Sequence, residues 1–216
     1  EFAGTNRFIM DFMLEEVLAR EPHEVQDFLL QTAVLTRLAG PLCDALTGGT
    51  GGQEMLETLE RRNLFVVPLD EERRWYRYHH LFADLLQARL RQTQPDLAAR
   101  LLMRASQWLE QNGYIPDAVR YAYAAEETGR AADLIERYGP ARLAQSDPSV
   151  VQMADDLPQE MILARPLIGL YQAWLLICQS RIPQARLLMS GLAGQLSARD
   201  AGSGRGWMQT WIAAAV

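Results

Sequence analysis

The chain has 216 residues, 49% of them apolar, enough to bury a core as one large domain or two small ones. Its formal net charge is -6 and all 21 basic residues are Arg; the absence of Lys excludes both a Walker A phosphate loop and a Schiff-base enzyme. An acidic chain with scattered Arg also lacks the basic face that releases counterions from nucleic acid, so direct DNA binding by this segment is not expected.

From Asn6 to Arg20 the apolar residues Phe8, Ile9, Phe12, Met13, Val17 and Leu18 recur at three- and four-residue spacing behind a capping Asn6, which predicts an amphipathic helix. Pro22 suits the first turn of a second helix that buries Val25, Phe28, Leu29 and Ala33 and ends near Arg37. A shorter helix opens at Pro41 and runs to Leu46, where Thr47-Gly48-Gly49-Thr50-Gly51-Gly52 breaks it. Helix resumes at Gln53 and stops near Asn63. The one strand signal follows: Leu64-Phe65-Val66-Val67-Pro68-Leu69, the charged turn Asp70-Glu71-Glu72-Arg73, then Arg74-Trp75-Tyr76-Arg77-Tyr78. Its β-branched and aromatic content predicts a β-hairpin, with Pro68 placing its strand at an edge. Helical spacing returns from His80 to Gln92. Short helices, a two-stranded hairpin and one more helix describe a winged-helix domain within residues 1–93.

Residues 94–216 are helical almost throughout, with breaks expected at Gly113, Gly129, Gly139-Pro140, Pro148, Pro158 and Pro166. Trp108-Leu109 followed by Ile115-Pro116-Asp117-Ala118 is echoed by Trp174-Leu175 followed by Ile182-Pro183-Gln184-Ala185. The offset is two repeats of about 34 residues, the period of tetratricopeptide-like helix pairs. The expected fold class is therefore mainly α: a winged-helix domain with one β-hairpin, followed by a tetratricopeptide-like helical-repeat superhelix. The amphipathic stretch Trp207 to Val216 stops without a polar capping repeat, and Glu1-Phe2 begins as abruptly, which reads as a fragment of a larger protein. No membrane partner is expected, because the apolar stretches Leu167 to Cys178 and Ile212 to Val216 are short of the roughly 20 residues a span needs. Glu1 to Asp11 carries no secretory pattern, so the expected address is cytoplasmic.

The chemistry available is thin. Cys43 and Cys178 lie inside apolar helical patterns and read as core thiols. The three His are His23, His79 and His80; adjacent residues on a helix point about 100° apart, and only Asp84 sits at ligand spacing from the pair, so metal binding is not expected. There is no Gly-x-Ser-x-Gly, and pairs such as Glu15-Glu16, Glu126-Glu127 and Asp155-Asp156 read as solvated helix faces. No enzyme is expected. A hydrolase built on the His pair would require a partnered carboxylate, and a plain helical-repeat scaffold binding protein or peptide is the competing class.

The string Trp75-Tyr76-Arg77-Tyr78-His79-His80-Leu81-Phe82-Ala83-Asp84-Leu85-Leu86-Gln87-Ala88-Arg89-Leu90 resembles the winged-helix signature of MalT-like regulators of the LuxR family, signal-transducing ATPases with numerous domains. Phe8 to Leu18, Phe28 to Leu35 and Leu56 to Phe65 are similar to the same family, so the resemblance covers roughly residues 2–91. It implies an upstream nucleotide-binding domain as partner, ATP and ADP as ligands of the parent protein with no cofactor in this segment, an inducer on the repeats, and promoter DNA held by a C-terminal helix-turn-helix. It also implies a His at the start of the helix after the wing that contacts a phosphate of ADP. His79 falls on that position, and His80, where relatives often carry Asp, is its substitute. An imidazole N–H suits the role because it donates a charge-assisted hydrogen bond.

Overall fold

A computed structural model describes residues 16, 18–145 and 147–199, with side chains as far as residue 193. Residues 18–20 are helical, and the rest of the helix expected from Asn6 lies outside the described residues except for Glu16, as does Trp207 to Val216. The chain divides into two compact units, Glu1–Glu126 and Glu127–Val216.

In the first unit, α1 (His23–Thr32) presents Val25, Phe28 and Leu29 to the interior. It stops five residues short of the expected Arg37 end. The reason is long-range: Leu38 exchanges two backbone hydrogen bonds with Tyr76, both 2.8 Å, so the chain must extend before it reaches that pairing. Helices α2 (Gly40–Thr47) and α3 (Gly52–Arg61) follow, and the break between them is made where Gly48 and Gly51 take φ of 75° and 100°. The two helices meet through glycine. A Cβ on Gly52 would lie 2.6 Å from the Gly40 carbonyl oxygen, and one on Gly40 would lie 2.7 Å from the Gln53 Cβ.

Strand β1 (Val66–Pro68) pairs antiparallel with β2 (Tyr76–Tyr78) in the register Val66 with Tyr78 and Pro68 with Tyr76. Because Leu38 takes the far side of β2, β1 is the edge, where a residue without an N–H is tolerated. Asp70 closes the hairpin by accepting from the Arg74 and Trp75 N–H groups at 2.8 and 3.0 Å. Helix α4 (His80–Thr93) then buries Phe82, Leu86 and Leu90. The hairpin and its flanking helices agree with the winged-helix expectation. Leu29, Leu38, Leu42, Leu46, Leu56, Leu59, Tyr76, Phe82 and Leu86 fill its core, each aliphatic side chain contributing about 1.5–3 kcal/mol by leaving water.

Helices α5 (Pro95–Gln111) and α6 (Ile115–Ala124) form a hairpin that packs on α2 and α4 within the same unit. Pro95 ends α4, since the residue before a proline is pushed to extended backbone, and Gln94 has φ -146°.

In the second unit, α7 (Thr128–Ala144) starts one residue before Gly129, beside the break expected there, but runs through Gly139-Pro140, where another break is expected. Packing overrides local preference there: Gly139 is buried, and a Cβ on it would come within 3.1 Å of Val151. After α8 (Ser149–Gln152), a 3-10 turn (Met153–Asp156) and α9 (Gln159–Ala164), helices α10 (Pro166–Cys178) and α11 (Ile182–Arg199) pack together around Leu170, Ala173, Met189 and Leu192. Cys43 is buried, with burial pushing its thiol up to about 12, but Cys178 is exposed at the end of α10, contrary to the core reading.

The turns repeat more faithfully than the tryptophans. Tyr114 N–H donates to Leu109 O, Asp147 N–H to Arg142 O and Arg181 N–H to Leu176 O, at 2.8, 2.9 and 2.8 Å. These are the bonds that close a helix end five residues back, and they recur at intervals of 33 and 34 positions. Trp108 and Trp174 fall one position out of step with the turns that follow them, and Trp174 is exposed.

Candidate functional site

His79 stands where the ladder ends and α4 begins, and its backbone serves both. Its N–H donates to Phe65 O at 2.7 Å, and its carbonyl accepts from the Ala83 N–H at 3.0 Å. Phe65 reaches this arrangement with φ 59°, stacking its ring on Phe82 at 4.8 Å, while Tyr78 meets Phe82 edge-on at 5.7 Å. These three rings form an apolar floor under the junction. Below it, Thr32 Oγ1 donates to Phe28 O at 2.6 Å and accepts from Tyr78 Oη at 2.7 Å, fixing β2 to α1. Burial pushes the Tyr78 phenol well above its ordinary value.

The His79 imidazole is half-buried, and its Nδ1 is buried without a hydrogen-bond partner. The exposed ring of His80 lies 4.5 Å from it, tilted by 33°. Neither ring makes a hydrogen bond or ion pair to a carboxylate among the described residues, and no group of three or more His, Cys, Asp or Glu there could hold a metal ion. The first turn of α4 has no side-chain cap and no acidic residue. Its free N–H groups and the positive end of the helix dipole therefore favour an anion beside the two imidazoles. The sequence locates both His residues at this junction but gives no sign of the unsatisfied nitrogen, which depends on packing by the hairpin.

A second feature escaped sequence reasoning. A cleft of about 590 Å³ opens at the other end of α4, lined by Gln87, Leu90, Arg91, Asp96, Arg120 and Tyr121 among others. Beside it, the loop after α1 is fastened to α6: Thr36 N–H donates to Tyr121 Oη at 2.8 Å, and Arg37 Nη2 lies 2.6 Å from Asp117 Oδ2. Arg120 also pairs with Asp117. Only the spacing of Asp117 and Tyr121, one helical turn apart, hinted that α6 presents a polar edge. None of the described helices is long and apolar enough to cross a membrane.

Residues 14–98 match the family model of the MalT winged helix domain. The chain is 36% identical over 173 residues to the serine/threonine-protein kinase PknK of Mycobacterium tuberculosis, covering 80% of this chain and 16% of that protein. It is 33% identical over 196 residues to the HTH-type transcriptional regulator MalT of Vibrio cholerae, covering 88% and 21%. It is 29% identical over 191 residues to the MalT regulator of Cronobacter sakazakii, covering 87% and 21%. The chain spans roughly a sixth to a fifth of the length of these curated relatives. The paired ribbon, the helix that follows it and the matched sequence agree: the described residues within 14–98 form a winged-helix domain of the MalT type, in a chain that is MalT-like along most of its length.

Proposed function

We propose that this chain is a regulatory, non-catalytic segment of a cytoplasmic, LuxR-type transcriptional regulator, coupling inducer sensing by tetratricopeptide-like repeats to an ATP- and ADP-switched nucleotide-binding domain upstream. ATP and ADP are ligands of that parent protein, and promoter DNA is a partner only through a C-terminal helix-turn-helix. His79 contacts a phosphate of ADP, with His80 as its substitute. The observation that carries this reading is the half-buried His79 ring, which reaches solvent at the uncapped start of α4 and is paired with no carboxylate among the described residues. A phosphate oxygen accepts from the solvent-facing edge of the ring, and the bond holds the wing against the nucleotide domain. The turns spaced 33 and 34 residues apart support the repeat reading of the later helices.

In such a switch an inducer acts only through its differential affinity for the two states, so loosening the ADP contact raises the open population without inducer. In the full-length protein, His79→Ala should weaken ADP binding by roughly 10- to 150-fold, the equivalent of losing one charge-assisted hydrogen bond of about 1.5–3 kcal/mol. Basal transcription should rise with it. His80→Ala tests the substitute in the same assay, and unchanged ADP affinity in the His79 variant removes that residue from the mechanism.

A further inference from the structure

The polar joint between the loop after α1 and helix α6 does more than hold two neighbours together. Thr36 and Arg37, which make its contacts, immediately precede Leu38, and Leu38 shares two backbone hydrogen bonds with Tyr76 in β2. Three residues after Tyr76 comes His79. The same Arg37 guanidinium lies 4.9 Å over the Trp75 ring. Trp75 in turn meets Tyr114, at the start of α6, edge-on at 5.4 Å, and Tyr114 stacks on Trp108 of α5 at 6.3 Å. Helix α6 thus grips the base of the wing at two places, through the Thr36–Leu38 segment and through Trp75.

The grip is well made. Asp117 is largely withdrawn from solvent, at 13% side-chain exposure, and holds two guanidinium groups, while Tyr121 is 7% exposed and its hydroxyl accepts the Thr36 N–H. Losing Arg37 leaves the withdrawn Asp117 carboxylate with Arg120 alone. The chain passes from α6 to α7 through three residues, Ala125 to Glu127.

We propose that Arg37, Asp117 and Tyr121 form a coupling joint through which α6 sets the position of β2 and the His79 imidazole, so that the first helix pair after the winged helix acts as its lever rather than as a free member of the repeats. Its regulatory purpose rests on the nucleotide reading above; its mechanical content does not.

Amide hydrogen exchange on this chain, read by mass spectrometry, tests the joint without nucleotide. Tyr121→Phe removes the acceptor for Thr36, and Arg37→Gln removes the bridge from a side chain that is 46% exposed and leaves the core intact. The expected result in either variant is exchange faster by about tenfold at Leu38 and at Tyr76 to His79, with α2 and α3 unchanged. Faster exchange confined to Thr36 and α6 overturns the proposal. So does a uniform increase that includes α2 and α3, the mark of general destabilisation. Should Tyr121→Phe fail to fold, Arg37→Gln decides alone. A joint that passes while His79→Ala leaves ADP affinity unchanged refutes only the nucleotide reading, and the converse result refutes only the joint.

Discussion

Replacing Thr32 with Val keeps the shape of a fully buried residue and removes one oxygen, and the consequence can be worked through bond by bond. Thr32 Oγ1 donates to Phe28 O and accepts from Tyr78 Oη, and Tyr78 is 4% exposed, so its hydroxyl has no water to turn to. Thr32→Val strands that donor and should cost about 1–3 kcal/mol. Tyr78→Phe removes the donor instead; Thr32 still bonds to Phe28 O, so the cost should be nearer about 0.5–1.5 kcal/mol. The double variant has no stranded group and should cost less than the two singles added, a coupling of about 1 kcal/mol. Urea unfolding followed by circular dichroism reads these values, and with a slope of about 2 kcal/mol per molar a loss of about 2 kcal/mol moves the midpoint by about 1 M. A Thr32→Val cost below about 0.5 kcal/mol, or strict additivity in the double variant, refutes the claim that this bond pins β2 to α1.

Gly52→Ala puts a Cβ 2.6 Å from a backbone carbonyl that cannot rotate away, and should destabilise the first unit by about 1–3 kcal/mol in the same unfolding assay, whereas Gly129→Ala, with open space at its Cβ, should not. The Asp147 carboxyl is held down to about 2 by Ser149, whose N–H donates to it at 3.0 Å, and by the Arg142 guanidinium at 2.8 Å. Because the folded value lies below the ordinary value near 3.8, its stabilisation is present above that pH and is lost as pH falls towards 2. Acid titration of the native chain and of Asp147→Asn should therefore diverge above about pH 4 and converge near pH 2, and parallel curves would refute the assignment.

Local patterns carried the hairpin, the glycine break between α2 and α3 and the start of α4, because each depends on residues adjacent in the chain. What escaped was set by partners far away. The stop of α1 at Thr32 follows from a pairing with Tyr76, and nothing between Ala33 and Arg37 announces it. Gly139-Pro140 looks like a helix break but lies inside α7, where the close approach of Val151 favours a residue without a side chain. In the tryptophan echo, Ile115 and Ile182 keep the 67-residue spacing of the turns, as do Gly113 and Ser180 at φ 81° and 60°, and Trp108 and Trp174 do not. At the site, the chain spelled out which imidazoles stand after the wing. It could not reveal the lone nitrogen of His79 or the joint at Arg37 and Asp117, since both arise from packing across some 15 to 80 positions.

Pro68 leaves the free border of the wing with a missing rung. On β1, residues 65, 67 and 69 turn their backbone groups towards β2, so 66 and 68 face away from it, and the second of these has a carbonyl to offer but no amide. A neighbouring copy approaching strand to strand would find its ladder interrupted after a single step. A proline at such a border disfavours strand-to-strand pairing between crowded copies.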